Sequence, residues 1–422
     1  MNARDSEFVA GVLSDNGFSI VDSQDKADVI IFNSCSVRKH AEEKLFSNIA
    51  DAARMKKNRP GLILVLMGCA AQNYKEKAIN RVPAIDVVCG PGNESDLPAL
   101  INDRIKNSCA LVATNKINEK RPELFPAYRE SSFKAYVSIG EGCDNFCSYC
   151  IVPYVRGRER SREAEDILRE VRELAARGFK EVTLLGQNVN SYNGVSRNFV
   201  KLLEAVDRVD GIERIRFMTS HPKDAHVELF KAMAGLEKVC EHLHLPLQSG
   251  SDRILKLMNR KYTVKRYLDT VGAYRKHVPG GSITTDLVVG FPSETESDFK
   301  KTFRLMKDVG FDSAYTFKYS PRPPAKAAKL KDGVPSELKT RRLMDIVGMQ
   351  CNVSQVRNQA EVGRVVEVLV DGFSKKDPAV LSGRTRTHKT TVFKGAKNLM
   401  GKFVNVKVMS ATPYALKGRK VA

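Results

Sequence analysis

The sequence lacks an apolar run long enough to cross a membrane. Its longest run, GLILVLMGCAA from Gly61, falls far short of the roughly 20 residues that a transmembrane helix needs. The amino terminus also lacks the basic stretch followed by an apolar stretch that marks a secretory signal. We therefore expect a cytoplasmic protein in a reducing compartment, where the nine cysteines are thiols or metal ligands and not disulfides.

Acidic residues are scarce relative to basic ones. The chain of 422 residues contains 69 Lys and Arg against 49 Asp and Glu, a formal net charge of +20. This excess indicates either a polyanionic partner, with nucleic acid the first candidate, or an ordinary basic soluble protein. Residues 361–422 carry 13 Lys and Arg against 4 Asp and Glu, a net charge of +9, which predicts that the tail binds nucleic acid.

The chain is longer than the chains that fold around a single hydrophobic core, so several domains are expected. From residue 134 onward, strand-like segments alternate with amphipathic helices; the strands begin near residues 135, 181, 214, 242, 284 and 313. Six successive strand-helix units predict an α/β fold with a partial (β/α)6 barrel, shorter than a closed barrel of eight units. Active sites in such folds lie at the carboxyl ends of the strands.

Two further domains and a linker are predicted around this barrel. The amino-terminal part is another α/β pattern, although it opens on a helix where such units usually open on a strand. Residues 111–133, with Pro122 and Pro126, have the composition of a linker. Short segments rich in β-branched residues predict a small β-barrel at the end of the chain. The predicted domains are residues 1–115, 129–358 and 359–422.

The stretch EGCDNFCSYC, residues 141–150, lacks a fourth cysteine nearby. Cys143, Cys147 and Cys150 can hold three irons of a cubane four-iron, four-sulfur cluster and leave the fourth iron open. The alternative is a zinc or structural site completed by a distant cysteine, although zinc ligands usually come as CxxC pairs at two separate places.

The spacing CxxxCxxC, with the aromatic Tyr149 before the last cysteine, resembles the signature of the radical S-adenosylmethionine (SAM) superfamily. The resemblance implies that SAM binds the open iron and is cleaved to a 5′-deoxyadenosyl radical. In DLVVGFPSET, Gly290 and Glu294 resemble the superfamily motif that contacts the adenine of SAM. Without the resemblance, the same residues are a strand that ends in a Gly-Pro turn.

The stretch HLPLQSGSDRIL resembles the region of the fourth barrel strand that faces SAM. The resemblance implies that Gln248 and Ser249 are polar contacts for the cofactor. His242 and His244 alternate with leucines in the same region. One of these two histidines is either part of the surface that faces the cofactor or a core histidine with satisfied hydrogen bonds.

Nearly the whole chain resembles the radical SAM methylthiotransferases, most of all those that act on isopentenyladenosine in tRNA. The resemblance implies a 2-methylthio product, two SAM molecules, two 4Fe-4S clusters, an electron donor such as flavodoxin or ferredoxin, and a monomer. It also implies an amino-terminal α/β domain and an RNA-binding β-barrel. The matching stretches are NSCSVRKHAEEK, MGCAAQ, EGCDNFCSYCIVPYVRGRERSR, LLGQNVNSYNG, FMTSHP, HLPLQSGSDRIL and SGRTRTHKTTVF.

The resemblance further implies that Cys35 and Cys69 ligate the second cluster, because each follows a parallel strand. Taken alone, two such cysteines are equally ordinary as small buried residues. In the family a third ligand follows a first strand that precedes the present Met1, so we expect either a truncated chain or another group completing the site. Cys89 is a candidate for that group, although a structural role is the simpler interpretation.

The substrate assignment depends on the stretches NSCSVR and LLGQNVNSY and on the basic tail, in which Arg384, Arg386 and Lys389 are predicted RNA contacts. A run of alternating arginines after the cysteines binds phosphate, positions the adenosine or is an ordinary solvated surface; it comprises Arg156, Arg158, Arg160 and Arg162. Rival functions are methylthiolation of threonylcarbamoyladenosine in tRNA or of a ribosomal protein, SAM cleavage without sulfur insertion, and a non-catalytic iron-sulfur protein that binds RNA.

Overall fold

The computed structural model describes residues 1–36, 39–115 and 128–421. The chain divides into two units. The first comprises Met1–Ser131, Tyr136–Arg162 and Ser320–Ala328; the second comprises Ser132–Ala135, Glu163–Tyr319 and Lys329–Ala422. The prolines of the predicted linker, Pro122 and Pro126, lie outside the described residues.

The first unit contains a parallel four-stranded sheet in the order β1-β2-β3-β4. Its central strand β2 is apolar along its whole length and fully buried, as expected for a parallel strand covered on both faces. The strand bounds are β1 Val29–Asn33, β2 Ile63–Met67, β3 Val87–Cys89 and β4 Leu111–Ala113. The predicted linker therefore begins too early, because Leu111–Ala113 completes this sheet.

Successive side chains of β2 point to opposite faces of the sheet. Because all of them are apolar, both faces are buried under helices. Leu64 and Leu66 pack with Phe46, whereas Val65 and Met67 pack with Phe8. The helices of this unit are α1 Asn2–Asp15, α2 Lys39–Met55, α3 Cys69–Tyr74, α4 Glu76–Arg81, α5 Leu97–Asn107 and α6 Val152–Val155.

All six strands predicted for the partial barrel form; five lie in the second unit, and β5 is divided between the two units. Parallel pairs join β8 to β9, β10 to β11 and β11 to β12, and Ile215 forms a parallel bridge to Val239 ahead of β10. Strand β5 begins in the second unit, where the carbonyl of Phe133 accepts the N–H of Lys180 beside β8. The strands are β5 Lys134–Ser138, β8 Glu181–Leu185, β9 Arg214–Phe217, β10 His242–His244, β11 Ser282–Val289 and β12 Ser313–Lys318.

Amphipathic helices alternate with these strands. In α7, Ile167, Val171 and Leu174 recur at helical spacing and are all buried. The helices are α7 Ala164–Ala176, α8 Phe199–Asp207, α9 Val227–Gly235, α10 Asp252–Leu257, α11 Val264–His277, α12 Glu296–Val309 and α13 Ser336–Gln359. Within the part of the chain that the structure describes, no helix is long and apolar enough to span a membrane.

The tail forms a closed five-stranded barrel in the order β13-β14-β15-β17-β16. Val368, Val370 and Phe393 fill its interior. The predicted β-barrel is confirmed, and its last strand, β17, has the sequence LKGRK, which contains no β-branched residue. The strands are β13 Val365–Phe373, β14 Leu381–Thr385, β15 Thr390–Lys394, β16 Phe403–Ala411 and β17 Leu416–Lys420.

Candidate active site

The three-cysteine loop lies in the first unit and is closed at its base by two short antiparallel strands, β6 Gly140–Glu141 and β7 Arg160–Ser161. The N–H of Cys143 donates to the carbonyl of Gly157 at 3.2 Å, which holds the first cysteine against the returning chain. The N–H of Cys150 donates to the carbonyl of Cys147 at 3.0 Å. This turn fixes the spacing of the second and third cysteines.

The side chains around the loop shape the environment of the thiols. Asn145 donates its Nδ2–H to Sγ of Cys143 at 3.3 Å. Burial raises the pKa of the Cys143 thiol, and the nearby charge of Cys147 raises it further. Phe146 is in the left-handed region at φ +44° and sets its ring edge-on to Tyr154. Tyr149, the predicted aromatic position of the motif, is half-buried.

Cys35 and Cys69 lie at matching positions beyond neighbouring parallel strands. Asn33 of β1 pairs with Met67 of β2, so each cysteine follows a paired position by the same number of residues. The N–H of Ala70 donates to the carbonyl of Ser34 at 3.2 Å and ties the two loops together. Burial raises the pKa of the Cys69 thiol, and the charge of Cys35 adds to that rise.

Gly68 is required ahead of Cys69 by both its backbone and its surroundings. Its φ is +83°, where side chains are disfavoured, and an added Cβ would clash with Oδ1 of Asn33.

Cys89 is placed differently from Cys35 and Cys69. It pairs with Met67 inside the sheet, and its fully buried side chain packs with the apolar core that includes Val87. This placement agrees with a structural role for Cys89.

A buried carboxylate joins the segments that follow Cys35 and Cys69. Glu42 is 4% exposed and accepts a hydrogen bond from Ser36, which also accepts the Nδ2–H of Asn73 at 3.0 Å. Nη1 of Arg322 donates to the second oxygen of Glu42 at 2.5 Å. Because Ser36 follows Cys35 and Asn73 lies on the helix that begins at Cys69, Glu42 holds both cysteine segments in place.

Arg156 lies on the other side of Cys69. Its Nε donates to Sγ of Cys69 at 3.2 Å and its Nη2 donates to Oδ2 of Asp5 at 2.5 Å. Burial alone would lower the pKa of Arg156, but Asp5 and Cys69 raise it well above its usual value. For Arg156, neither the phosphate-binding nor the solvated-surface interpretation of the arginine run is correct, because the side chain is buried against a predicted cluster ligand.

Two other members of the run have ordinary local partners. The exposed Arg158 pairs with Asp144, and Nη1 of Arg162 donates to the carbonyl of Ser138. The arginines at alternate positions therefore do not form one basic surface.

The described residues contain no group of three or more His, Cys, Asp or Glu side chains that could hold a metal ion. The feature that fits an iron-sulfur cluster is the type of side chain present, namely cysteine thiols. Thiols are the usual ligands of such clusters, and one short loop carries three of them, with a side-chain amide already donating to one sulfur. Cys35 and Cys69 add a second pair of thiols at matching positions beyond neighbouring strands. Both sets fit the donor chemistry of iron-sulfur clusters.

In the second unit, the turn with Gly290 and Glu294 lies at the carboxyl end of β11. The carboxylate of Glu294 accepts the N–H of Gly290 at 2.7 Å and the Nη1–H of Arg342 at 2.8 Å. Burial raises the pKa of Glu294, although these two donors lower it. Gly290 has φ +70°, and an added Cβ would clash with Cγ of Lys339. Glu294 thus organises the turn, and contact with adenine stays a prediction for both residues.

The predicted cofactor contacts after β10 differ from each other in the structure. Gln248 is 7% exposed and adopts φ +69°, a strained backbone for a residue with a side chain. Ser249 is fully buried, and its hydroxyl lies 3.4 Å from that of Thr302. Backbone strain of this kind concentrates at functional sites, so Gln248 fits the predicted role better than Ser249 does.

The two histidines of this region have partners inside the unit. Nε2 of His242 and Nδ1 of His244 each lie 2.9 Å from the hydroxyl of Thr284, and the ring of His242 stacks on His388 at 4.7 Å. Both histidines are buried. Their environment is therefore that of core histidines with satisfied hydrogen bonds.

The three predicted RNA contacts of the tail are half-buried and have partners within the protein. Arg386 forms a bidentate pair with Glu241, and Nζ of Lys389 lies 2.9 Å from Oδ1 of Asp312. Nη1 of Arg384 donates to the carbonyl of His388. These partners tie the turn between β14 and β15 to the amino ends of the barrel strands. RNA binding by these three side chains stays a prediction; the charges of Arg386 and Lys389 are paired with carboxylates of the same unit, whereas Arg384 donates to a backbone carbonyl of its own turn.

Sequence reasoning assigned no role to four polar residues at the ends of β8 and β9, namely Gln187, Asn188, Ser220 and His221. They lie in two of the stretches that match the methylthiotransferases, LLGQNVNSYNG and FMTSHP, so a signal was present.

Comparison with known families divides the chain into three matches. Residues 1–90 match the uncharacterized protein family UPF0004, residues 137–306 match the radical SAM superfamily, and residues 359–421 match the TRAM domain. The three matches follow one another along the chain in the order of the three predicted domains.

Curated relatives match the full length of the chain. The tRNA-2-methylthio-N(6)-dimethylallyladenosine synthase of Desulforamulus reducens is 46% identical over 100% of this chain and 93% of its own. The protein of the same name from Moorella thermoacetica is 46% identical over 100% of this chain and 96% of its own. The chain belongs to the tRNA-2-methylthio-N(6)-dimethylallyladenosine synthase family. Membership agrees with the resemblance seen in the cysteine motif and in the stretches around it.

Solved structures support the fold. The radical S-adenosylmethionine methyltransferase TsrM from Kitasatospora setae, with cobalamin and a 4Fe-4S cluster bound, superposes with a TM-score of 0.58. The match covers 78% of this chain and 74% of TsrM at 13% identity. At that identity, the likeness shows a shared fold only.

Proposed function

We propose that this chain methylthiolates tRNA at isopentenyladenosine on the 3′ side of the anticodon. The methylthio group is added to carbon 2 of the adenine ring. The observation that carries the proposal is full-length similarity, at 46% identity, to curated synthases of the 2-methylthio nucleoside. Further support comes from the three-thiol loop, the paired thiols of Cys35 and Cys69, and the basic TRAM domain.

Two 4Fe-4S clusters and SAM are the cofactors. Cys143, Cys147 and Cys150 hold the cluster that binds SAM, and Cys35 and Cys69 hold the second. When bound, the first cluster and SAM supply the radical that removes hydrogen from an unreactive carbon, and a second SAM supplies the methyl group. Asn145 donates to a thiol of the first set, and Arg156 donates to a thiol of the second.

The remaining groups bind and orient SAM. Tyr149 lies within the cysteine loop, and Gln248 is fixed in a left-handed conformation after β10. Gly290 and Glu294 form the turn after β11, where the carboxylate and Arg342 keep the backbone in shape. Ser249 supports the same region from a buried position.

The partners and the domain bounds follow from this function. We propose an amino-terminal methylthiotransferase domain over residues 1–115, a radical SAM core over 129–358 and an RNA-binding barrel over 359–422. The partners are tRNA bearing isopentenyladenosine and an electron donor such as flavodoxin or ferredoxin. The enzyme works in the cytoplasm, because the tRNA substrate is found there. It works as a monomer.

The test separates radical formation from sulfur insertion. Cys147→Ala should abolish formation of 5′-deoxyadenosine, measured by chromatography after anaerobic reconstitution and reduction. Cys35→Ala should still form 5′-deoxyadenosine but give no 2-methylthio nucleoside, measured by mass spectrometry of digested tRNA. Cys109→Ala, at an exposed cysteine outside both sets, is the matched control and should retain both activities.

Several outcomes would contradict the proposal. A product on threonylcarbamoyladenosine or on a ribosomal protein would move the activity to one of the other methylthiotransferase substrates. RNA binding without any cleavage of SAM under reduction would indicate a non-catalytic iron-sulfur protein. Methylthiolation by Cys35→Ala at the wild-type level would remove the second cysteine set from sulfur insertion.

A further inference from the structure

A groove of about 680 Å³ lies on the outer face of the partial barrel, between α7 and α8. The described residues that line it all belong to the second unit. Its size falls within the roughly 300–1,000 Å³ range that is typical of ligand-binding clefts. Neither the cysteine chemistry nor the proposed SAM contacts assign a role to this groove.

Small side chains keep the floor of the groove open. Ala175 of α7 lies against Gly211 in the loop before β9, because a Cβ added to Gly211 would be 3.3 Å from Cβ of Ala175. Ala205 of α8 lines the same floor. None of the described lining residues is aromatic, and the two large apolar ones, Leu168 and Val209, are buried. The groove therefore lacks the exposed apolar centre that a protein-binding surface usually has.

Three arginines line the groove. Arg172 belongs to α7 and Arg208 caps the carboxyl end of α8; both are exposed, and neither has a hydrogen-bond or ion-pair partner among the described residues. Nη2 of Arg197 lies 3.5 Å from Oε1 of Glu165, and its buried Nε has no hydrogen-bond partner among the described residues. Asp210 is the remaining charged residue of the described lining. The groove is thus positively charged, with two guanidinium groups available to a ligand.

The groove connects the two ends of the barrel. A helix between parallel strands runs from the carboxyl end of one strand back to the amino end of the next. Arg197, which precedes α8, therefore lies toward the carboxyl ends of the strands, and Arg208 lies toward their amino ends. Helix α7 has 13 residues, which corresponds to a length of roughly 20 Å.

The tail contacts the barrel beside the amino end of this groove. Arg214, at the start of β9 and three residues after Gly211, donates to the carbonyl of Arg384 at 2.9 Å and to Glu367 at 2.5 Å. Its guanidinium also lies 4.5 Å from the ring centre of Phe403. The proposed SAM contacts lie at the opposite, carboxyl ends of the strands. An RNA that contacts the tail and presents a nucleoside there has to cross roughly 20 Å of the outer surface of the barrel.

We propose that the groove between α7 and α8 binds the phosphate backbone of tRNA and positions it between the tail and the carboxyl ends of the barrel strands. Arg172 and Arg208 donate to phosphate oxygens. The guanidinium group suits this role because its planar set of N–H donors matches the geometry of phosphate. Contacts of this kind fix the register of the RNA and carry no sequence information.

This inference rests on the proposed function, which makes tRNA the substrate. An acidic protein segment is the other polyanion that two arginines could bind. The lack of an exposed apolar centre and the adjacent basic tail both favour RNA. The test therefore includes an acidic polypeptide as a second ligand.

The test compares a groove variant with a charge-matched control, both in the full chain after anaerobic reconstitution. The groove variant combines Arg172→Gln with Arg208→Gln. The control combines Lys265→Gln on α11 with Arg304→Gln on α12, which removes two exposed positive charges and leaves the groove intact. Filter binding at several salt concentrations measures the affinity for full-length tRNA that carries isopentenyladenosine. No turnover is needed.

We expect the groove variant to bind tRNA more weakly and with a shallower salt dependence. Each phosphate that is no longer neutralised lowers the logarithmic slope by roughly 0.7 to 0.9, so two lost contacts lower it by roughly 1.4 to 1.8. This change corresponds to about 25- to 60-fold weaker binding at ~0.1 M salt if the affinities are equal at ~1 M. The control should keep the wild-type slope. All three proteins should have the same melting temperature, because the changed side chains are exposed.

Equal slopes in the groove variant and the control would overturn the proposal, because any loss of affinity would then reflect net charge alone. Binding of poly-L-glutamate is measured in parallel. Weaker binding of poly-L-glutamate by the groove variant, with tRNA binding equal to that of the control, would assign the groove to an acidic protein and would also overturn the proposal. Failure of the proposed function would appear differently, as a wild-type chain that binds tRNA but forms no methylthiolated nucleoside.

Discussion

Nε of Arg156 donates a hydrogen bond to Sγ of Cys69 across 3.2 Å, although 87 positions separate the two residues in the sequence. Arg156 ends the short helix that follows the three-cysteine loop. The same segment therefore carries the three thiols of the first proposed cluster and the cation that contacts Cys69, a proposed ligand of the second cluster. Nη1 of the same guanidinium is buried and has no hydrogen-bond partner among the described residues.

The first prediction is that Arg156→Met weakens the second cluster. Residues that hydrogen-bond a metal ligand usually contribute about 10- to 100-fold to metal affinity, and hydrogen bonds to the sulfurs raise the reduction potential. In a background with Cys143, Cys147 and Cys150 changed to Ala, Arg156→Met should lose iron to a chelator faster than the parent. Its midpoint potential should be more negative, as measured by redox titration followed by electron paramagnetic resonance.

Arg158→Met is the matched control for this experiment. Arg158 lies two positions further along, its side chain is 68% exposed, and it pairs with Asp144. Iron retention should be unchanged in this variant. Equal iron loss and equal potentials in the Arg156 and Arg158 variants would show that the hydrogen bond to Cys69 has no bearing on the cluster.

The sequence predicted those features that depend on local pattern. Continuous apolar runs such as the one in β2 identify buried parallel strands, and a cysteine shortly after such a strand is expected at the ligand-binding edge. The register of Asn33 with Met67 then brings Cys35 and Cys69 to the same level. These relationships follow from residues close together in the chain and from the geometry of parallel sheets.

The partners of charged residues were beyond prediction from the sequence. A basic stretch such as GRTRTHK has the same pattern whether it faces RNA or buried acids. Here the acids that decide are distant in sequence: Glu241 is 145 positions from Arg386, and Asp312 is 77 positions from Lys389. Arg156 was misjudged for the same reason, because Asp5 lies 151 positions earlier.

The second prediction concerns Lys389, which the structure places in a buried ion pair. The side chains of Lys389 and Asp312 are 9% and 8% exposed. Lys389→Met removes a charge-assisted hydrogen bond but leaves Arg357 paired with the carboxylate, so the loss of unfolding free energy should be about 1.5–3 kcal/mol. Chemical denaturation should show the loss. Lys394→Met, at an exposed position of the same barrel, should change stability by no more than about 0.5 kcal/mol.

A stable Lys389→Met protein with reduced RNA affinity would contradict this prediction. It would return Lys389 to the RNA-contacting role inferred from the sequence.

The third prediction places the RNA contacts of the tail on the exposed side of β15 and β17. Lys394 pairs in register with Arg419, and Lys417 lies two positions before Arg419 on the same face of β17. All three side chains are exposed. Changing the three to Gln should weaken tRNA binding and make its salt dependence shallower, by roughly 0.7 to 0.9 in logarithmic slope for each phosphate that is no longer neutralised.

Filter binding at several salt concentrations measures that slope. Lys265→Gln removes an exposed charge on α11, where Lys265 pairs with Asp269, and should leave the slope unchanged. An unaltered slope in the triple variant would show that the phosphate contacts lie on another surface.

The last prediction is a pH dependence carried by Asp312. Burial alone would raise the pKa of this carboxyl, but Lys389 and Arg357 hold it below its ordinary value of 3.8. A depressed pKa means that the folded state favours the ionised form, so the contribution to stability is present above the ordinary pKa. It is lost as the pH falls through the lower value of the folded protein. Asp312→Asn should therefore destabilise the protein more at pH 6 than at pH 3, by up to about 1 kcal/mol, as measured by urea denaturation at both values. An equal destabilisation at both pH values would mean that the Asn side chain packs or hydrogen-bonds less well than Asp. The charge of Asp312 would then not contribute to the stability of the contact between the tail and the barrel strands.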